Sequence, residues 1–242
     1  MKRIFDVVAS SIGLILLSPL LLPVMLLVWL QDYHSPFYIA PRVGRGEKIF
    51  KMFKMRSMII NADKSGVDST SSQDKRITPL GHFIRKCKLD ELTQLINVLT
   101  GDMSLVGPRP NVKRDTDIYT QVEKKLLTVR PGITDLASIV FADEGDILKD
   151  SKDPDLDYNQ LIRPWKSRLA LLCLEHQSFF FDFRIVILTA QAIVSRSSAL
   201  AGVVALLKEI KAPQDVIRVA QRQEKLLPHA PPGATSVVTS RS

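Results

Sequence analysis

The sequence predicts a mostly helical α/β protein, in which an N-terminal membrane helix precedes a small domain with amphipathic helices at the membrane surface. Three observations carry this prediction. Residues 7–30 contain no charged side chain. Apolar residues recur at helical spacing in residues 89–99, and polar and apolar residues partly alternate in residues 48–56, as in a strand. We expect three parts, at residues 1–36, 37–197 and 198–242.

The uncharged N-terminal run covers 24 residues, and a helix of that length extends about 36 Å, enough to cross a bilayer. Ser18-Pro19 divides the run, and each arm of about 12 residues would be too short to cross. Lys2 and Arg3 precede the run and further cations follow it, so both flanks favour the cytoplasmic side. These features favour a re-entrant helix broken at Ser18-Pro19. A kinked spanning helix stays open, because membrane helices tolerate proline.

The composition favours anionic partners, since the net charge is +8 and the pI is about 9.5. Only 7% of the residues are aromatic, and no basic run is interleaved with aromatic residues, so we expect no nucleic-acid partner. Cys87 and Cys173 stand alone, without the paired spacing of a zinc or redox motif.

Two basic segments could contact phosphate. Lys54 and Arg56 alternate along the predicted strand, so they share one face. Such a face could also simply meet lipid headgroups. Arg85 belongs to a short helix that Thr78-Pro79 opens. It could hold a phosphate or only offset nearby carboxylates, and the sequence favours neither.

The chain is organised around residues 88–110. Asp90 and Glu91 lie in the first turn of a helix that Gly101 ends. Arg109 follows between two prolines, which restrict its backbone and hold its guanidinium in place. A fixed guanidinium beside two carboxylates suits phosphate recognition.

The run LDELTQLINVLTGDMSLVGPRP resembles the signature of the bacterial sugar transferases, the monotopic polyprenyl-phosphate phosphoglycosyl transferases. Members of that family carry Ser-Pro at the place of Ser18-Pro19, in a helix that enters one leaflet and returns. The resemblance covers about residues 2–195. Its other segments are KMRSM, RPGIT, FADEGDIL and PWKSRLALLCLEHQSFFFDFRIVILTA, at residues 54–58, 130–134, 141–148 and 164–190.

The resemblance implies transfer of a sugar 1-phosphate from a nucleotide diphosphate sugar, a UDP-sugar, to polyprenyl phosphate. This would be the first membrane step of exopolysaccharide, O-antigen, capsule or glycoprotein glycan synthesis. Asp90 would be the nucleophile and a ligand of Mg²⁺, and Glu91 the base toward the lipid phosphate. Lys54 and Arg56 lie where the family has its phosphate-contacting segment. The enzyme would act on the cytoplasmic face of the bacterial inner membrane, and a homo-oligomer stays open.

Two alternatives stay open as well: a membrane-anchored, metal-dependent hydrolase of nucleotide sugars, and a non-enzymatic scaffold that binds anionic lipid. The sequence departs from the family pattern at Lys88, where Ser or Thr is common, and at Thr93, where Pro is common. Asp135 stands where a small residue is expected.

Three further features lie toward the C-terminus. Asp143, Glu144 and Asp146 lack the spacing of a calcium loop, so we expect them at a solvated helix start. Residues 226–242 contain several prolines and a glycine, and we expect them to be disordered. A phenylalanine cluster at residues 179–183 could belong to a core or lie at the headgroup level.

Overall fold

The computed structural model describes residues 2–62 and 74–240. Helices dominate and two small sheets accompany them, which confirms the mostly helical α/β class. The strands are β1 (Phe37–Val43), β2 (Ile49–Met55), β3 (Ser104–Val106) and β4 (Gly132–Thr134). The helices are α1 (Lys2–Leu30), α2 (Pro79–Lys86), α3 (Leu89–Leu92), α4 (Leu95–Thr100), α5 (Lys113–Asp117), α6 (Leu136–Val140), α7 (Glu144–Ile147), α8 (Pro154–Asp157), α9 (Arg163–Glu175), α10 (Phe179–Val194), α11 (Arg196–Glu209) and α12 (Gln214–Gln221). Short 3₁₀ segments lie at Arg45–Glu47 and Glu123–Thr128, and one π-turn at Tyr158–Ile162.

Helix α1 is, within the described ranges, the one helix long and apolar enough to span a membrane. It continues through Pro19 and Pro23 and does not end at the predicted break. Pro19 has no N–H for the carbonyl of Ile15, and the Ser18 hydroxyl donates to that carbonyl instead, at 2.8 Å. The Ser-Pro pair therefore supplies a replacement hydrogen bond. The re-entrant path itself stays a prediction.

One face of α1 packs against the rest of the protein along the length of the helix. The buried residues of this face are Asp6, Ser10, Leu21, Val24 and Val28. They are separated by three, four or eleven residues, which are close to whole numbers of helical turns. The remaining surface of α1 exposes large apolar side chains, among them Ile4, Val8, Ile12, Ile15, Leu16, Leu20, Leu22, Leu26 and Leu27.

The first turn of α1 is fixed by charged side chains. Lys2 forms an ion pair with Asp182 of α10, and its ammonium also donates to the carbonyl of Val106, at 3.0 Å. The carboxylate of Asp6 is buried and accepts a hydrogen bond from the Ser104 hydroxyl, at 2.8 Å. Two ionic side chains therefore attach the start of α1 to β3 and α10.

The last turn of α1 is fixed by a buried arginine. The Arg56 guanidinium bonds both carboxylate oxygens of Asp32, at 2.5 and 2.7 Å. It also donates to the carbonyls of Val28 and Ser35, at 3.2 and 2.9 Å. Apolar packing adds to this contact through a cluster of Leu21, Val24, Val28, Met55, Ile84 and Leu89.

Strands β1 and β2 form an antiparallel hairpin, so the strand predicted from alternation is confirmed. Met52 and Met55 of β2 are buried, whereas Lys51 is exposed. The buried Asn97 of α4 joins the hairpin to the helices. Its amide accepts from the Phe53 N–H at 2.8 Å and donates to the carbonyl of Lys51 at 2.8 Å.

Strands β3 and β4 pair in parallel and bring two glycines into close contact. A Cβ on Gly132 would lie 2.1 Å from the nitrogen of Gly107, and a Cβ on Gly107 would lie 2.6 Å from the carbonyl oxygen of Arg130. Only glycine fits at both positions. This approach sets where the chain leaves β3 and enters Pro108-Arg109.

The largest hydrophobic core lies among α6, α9, α10, α11 and α12. Val203, Leu207 and Ile217 are buried in it together with Leu136 and Leu169. The core therefore crosses the predicted boundary at residues 197 and 198, and α11 and α12 belong to the same folded unit.

Residues 226–240 differ from the predicted disorder because they lie against the domain. Leu226 is buried, and the His229 ring stacks on Trp165 with centroids 4.5 Å apart. The Thr120 hydroxyl donates to the carbonyl of Pro232 at 2.5 Å. The composition of this segment is typical of a disordered tail, but these contacts come from residues far away in the sequence.

Candidate active site

Asp90 lies in the short helix α3, which packs against β2. Its side chain is only 4% exposed, and one carboxylate oxygen, Oδ2, pairs with the Lys54 ammonium at 2.9 Å. The other oxygen, Oδ1, is buried without a hydrogen-bond partner. A buried carboxylate oxygen with no partner is costly in a folded protein, so it indicates a ligand-binding or reactive position.

Two local features set the position of Asp90. Lys88, just before α3, has a left-handed backbone with φ of 56°, which turns the chain from α2 into α3. The Thr93 hydroxyl lies 3.2 Å from the carbonyl of Asp90 and 3.3 Å from that of Phe53. Thr93 stands where the family commonly has proline, and its hydroxyl links the end of α3 to β2.

Glu91 pairs with Arg109, with Oε1 and Nη2 2.7 Å apart. Burial raises the pKa of Glu91, but the charges of Arg109 and Lys54 outweigh burial and hold that pKa well below its usual range. The Glu91 charge in turn raises the pKa of Arg109, although the partial burial of this side chain opposes that shift. Lys54, Asp90, Glu91 and Arg109 therefore form one cluster of alternating charge, which we call the charge cluster.

Three further side chains lie next to the charge cluster. Lys166 forms an ion pair with Glu144, and its ammonium lies 5.3 Å from the centroid of the Tyr158 ring. Burial raises the pKa of Glu144, but Lys166 and Arg109 outweigh it, so the net shift is downward. The sequence predicts Glu144 at a solvated helix start and predicts no role for Lys166 or Tyr158. The available signals were the two family segments that contain Glu144 and Lys166.

A pocket opens beside Arg109, with a volume of about 640 Å³ that includes space open to solvent. Tyr158 and Lys166 line it, together with Asn111, Ser138 and Asp135. Burial raises the pKa of Asp135, although its carboxylate accepts hydrogen bonds from Ser138. The pocket thus joins a fixed guanidinium to a wall of polar and aromatic groups, a combination typical of ligand sites.

The other predicted site residues lie elsewhere. Arg56 is buried and uses its guanidinium on Asp32 and on backbone carbonyls, so the structure gives it a structural role in place of phosphate binding. Arg85 lies on α2, and its charge adds a minor part to the lowered pKa of Asp74, which the side-chain hydrogen bond from Arg76 mainly causes. Ser18-Pro19 lies within α1, among exposed apolar residues.

The described residues contain no group of three or more histidine, cysteine, aspartate or glutamate side chains that could enclose a metal ion. Mg²⁺ commonly takes one or two protein carboxylates and completes its shell with substrate oxygens and water. The carboxylate of Asp90, with one oxygen unpartnered, fits that pattern.

The model of one protein family, "Bacterial sugar transferase", matches residues 1–196. The chain belongs to the bacterial sugar transferase family. This confirms the resemblance, which the sequence motifs placed at about residues 2–195.

Named relatives agree with this assignment. A Bacillus subtilis protein, provisionally named an undecaprenyl-phosphate N-acetylgalactosaminyl 1-phosphate transferase, is 46% identical over 133 residues, 55% of this chain and 70% of that protein. The Escherichia coli UDP-glucose:undecaprenyl-phosphate glucose-1-phosphate transferase is 37% identical over 196 residues, 78% of this chain and 39% of the relative. The exopolysaccharide production protein ExoY of Rhizobium meliloti is 39% identical over 153 residues, 57% of this chain and 68% of the relative.

This chain therefore matches about two thirds of the shorter relatives and well under half of the Escherichia coli protein. Several of the relatives are named as transferases of a sugar phosphate to undecaprenyl phosphate, which is the reaction class that the sequence predicted.

Proposed function

We propose that this protein transfers a sugar 1-phosphate from a UDP-sugar to undecaprenyl phosphate, as the first membrane step in the synthesis of a bacterial surface glycan. The observation that carries the proposal is the charge cluster. It combines a buried aspartate that has one unpartnered oxygen with a fixed arginine. The names of the relatives support undecaprenyl phosphate and a UDP-sugar as the substrates. The name of ExoY supports exopolysaccharide as one destination of the sugar.

In the first half-reaction, Oδ1 of Asp90 attacks the β-phosphorus of the donor. A bond forms between this oxygen and phosphorus, and the bond from phosphorus to the oxygen that bridges the two phosphates breaks. Nucleoside monophosphate leaves with that electron pair, and the sugar phosphate stays on Asp90. Splitting one difficult transfer into two easier steps is the usual benefit of a covalent intermediate.

In the second half-reaction, an oxygen of the lipid phosphate attacks the same phosphorus and releases the Asp90 carboxylate. Glu91 accepts the proton of the lipid phosphate if that phosphate arrives protonated. While it is paired with Arg109, Glu91 is ionised but has a lowered pKa, which makes it a weak base. Arg109 exchanges its ion pair with Glu91 for the donor phosphates, which also frees the glutamate.

Positive charge is the main requirement of phosphoryl transfer. Lys54 and Arg109 supply it from β2 and from the turn after β3. Mg²⁺, held by Asp90 and by the diphosphate, would neutralise further charge on the donor.

The proposed location is the cytoplasmic face of the inner membrane, with α1 re-entrant. Both ends of α1 contact the same domain, through Lys2 and Asp6 at the start and through Val28 at the end. A helix that crossed the bilayer would place these ends about 30 Å apart, on opposite sides. One small domain would then have to lie on both sides at once. These contacts therefore favour a helix that enters and leaves on one side.

The apolar surface of α10 supports this placement. Phe179, Phe180 and Phe183 are exposed on α10, and the Phe5 ring of α1 lies 5.3 Å from that of Phe179. The phenylalanines thus continue the apolar surface of α1. Contiguous exposed apolar surface on a basic protein is typical of membrane contact at the headgroup level.

The test of the proposed function is a donor burst without lipid acceptor. We expect about one nucleoside monophosphate per enzyme and a phospho-sugar adduct on Asp90. Asp90→Asn should abolish the burst, whereas Glu91→Gln should keep it and slow the acceptor half-reaction.

Mass spectrometry of the trapped peptide locates the adduct. Steady release of free sugar phosphate would favour the hydrolase alternative. Lipid binding without turnover, unchanged by Asp90→Asn, would favour the scaffold. An adduct on Glu91 would make Glu91 the nucleophile in place of Asp90.

A further inference from the structure

The wall of the pocket beside Arg109 is built from short elements. Glu144 opens the four-residue helix α7, and Tyr158 opens the five-residue π-turn that follows the four-residue helix α8. Lys166, on α9, joins the two through its ion pair with Glu144 and its position over the Tyr158 ring. Tyr158 and Lys166 line the pocket, Glu144 is paired with Lys166 behind them, and we call these three residues the wall trio. Helical pieces of one turn are not stable alone, so other parts of the protein must hold them in place.

Residues 229–238 hold the side that carries Tyr158. The His229 N–H donates to the carbonyl of Gln160 at 3.0 Å, and the Gln160 side-chain amide donates to the carbonyl of Val238 at 2.6 Å. Gln160 lies in the π-turn, two residues after Tyr158. The stack of His229 on Trp165 adds a contact one residue before Lys166.

Arg222 holds the side that carries Glu144. Its guanidinium pairs with Asp143, the residue before Glu144, at 3.1 Å, and lies 5.5 Å from the centroid of the Phe141 ring. The Arg222 side chain is only 11% exposed, so solvent screens this contact little. Arg196, at the start of α11, pairs with the other oxygen of Asp143 at 2.8 Å.

We infer that residues 222–240, which lie outside the part of the chain that the family model matches, position the wall trio and thereby set the affinity of the pocket for the nucleotide-sugar donor. The inference rests on the proposed function. Its physical basis is pre-organisation. If the contacts of this segment were lost, the donor itself would have to order the π-turn and α7, and binding would weaken by that cost. The contacts described above are made to chain neighbours of the wall trio, and none of them involves the charge cluster, so the chemical step is expected to change little.

Two variants of the full chain test the inference. Gln160→Leu removes the bond to Val238, and Arg222→Gln removes the charge beside Asp143. Arg218→Gln is the matched control, because Arg218 lies one turn earlier on α12 and is exposed. Gln177→Leu, at an exposed position between α9 and α10, is the control for Gln160.

We expect each variant to raise the donor KM about tenfold and to change kcat by less than about twofold. Arg222→Lys should restore part of the affinity, and both controls should match the unsubstituted protein. A donor KM within twofold in both Gln160→Leu and Arg222→Gln would overturn the inference, as would an equal loss confined to kcat.

Hydrogen exchange gives a second measurement that does not depend on turnover. In lipid vesicles, the backbone amides of residues 158–166 should exchange faster in both variants and stay unchanged in the controls. Unchanged exchange there would overturn the positioning role. Faster exchange throughout the protein in Arg222→Gln would indicate that this variant unfolds. The result of Gln160→Leu would then decide whether the segment positions the wall trio, because that variant removes a single bond at a partly exposed position. If the unsubstituted protein showed no transfer at all, the proposed function would fail. The exchange data would still test whether residues 222–240 position the wall trio.

Discussion

Arg109→Lys is the substitution that most directly tests the phosphate site. Lysine keeps the positive charge beside Glu91 but loses the planar fork that can bind two phosphate oxygens at once. A hydrogen bond to a charged group contributes about 1.5–3 kcal/mol. The Arg109 side chain is 36% exposed, so solvent screening favours the lower part of that range, about 1.5–2 kcal/mol. We therefore expect kcat/KM to fall by about 10- to 30-fold.

The assay measures transfer of radiolabelled sugar phosphate from a UDP-sugar to undecaprenyl phosphate in vesicles. Arg218→Lys, on the exposed side of α12, is the matched control and should be neutral. Thermal unfolding and vesicle binding should match the unsubstituted protein in both variants. A kcat/KM within twofold of the original value in Arg109→Lys would refute the reasoning, and Pro108-Arg109-Pro110 would then be only a structural turn.

Arg109→Gln extends the same test to charge. Burial raises the pKa of Glu91, and the Arg109 charge is the largest opposing influence. Without that charge, the pKa of Glu91 should rise toward or above its ordinary value. The acceptor half-reaction of Arg109→Gln should then speed up as the pH rises through the new pKa, whereas the original protein should show no such limb at neutral pH. Identical pH profiles would contradict the assigned role of Glu91.

Further tests address topology, stability and metal. With Cys87 replaced by serine, single cysteines at positions 2 and 240 should react with an impermeant reagent together or not at all in intact spheroplasts, and labelling of one alone would exclude the re-entrant path. Arg56→Gln should lower the unfolding temperature. The hydrogen bond from Arg56 lowers the pKa of Asp32 to about 2. The stability that this pair contributes is therefore present above the ordinary pKa of aspartate and is lost as the pH falls toward 2. In Arg56→Gln this acid-dependent loss of stability should disappear. Chelation of Mg²⁺ should stop transfer, and added Mg²⁺ should restore it.

Much of the fold and of the charge cluster could be predicted because the signals are local. The alternation in residues 48–56 predicted β2. Gly101, with φ of 94°, ends α4 as expected, but the single helix predicted before it is divided into α3 and α4. Asp90, Glu91 and Arg109 stood out because they are close together in the sequence. Lys54 was selected by the family resemblance, and the structure pairs it with Asp90.

The interpretations that the structure changed depend on distant partners. Arg56 was predicted to bind phosphate because it belongs to a basic strand. Its bonds to Asp32 and to the end of α1 give no signal in the sequence. Glu144 looked solvated because Lys166, its partner, follows 22 residues later. Likewise, the composition of residues 226–240 says nothing of Trp165, against which His229 stacks.

The ion pair between Lys2 and Asp182 also bears on the order in which the protein folds during synthesis. The two residues are 180 positions apart. At a synthesis rate of about 5–20 residues per second, roughly 10–40 s pass between them. During that time α1 is already made, while the surface that holds its first turn does not yet exist. If α1 lies in the membrane, as proposed, it can reach the lipid before that surface exists, and the domain then assembles against a helix that is already in place.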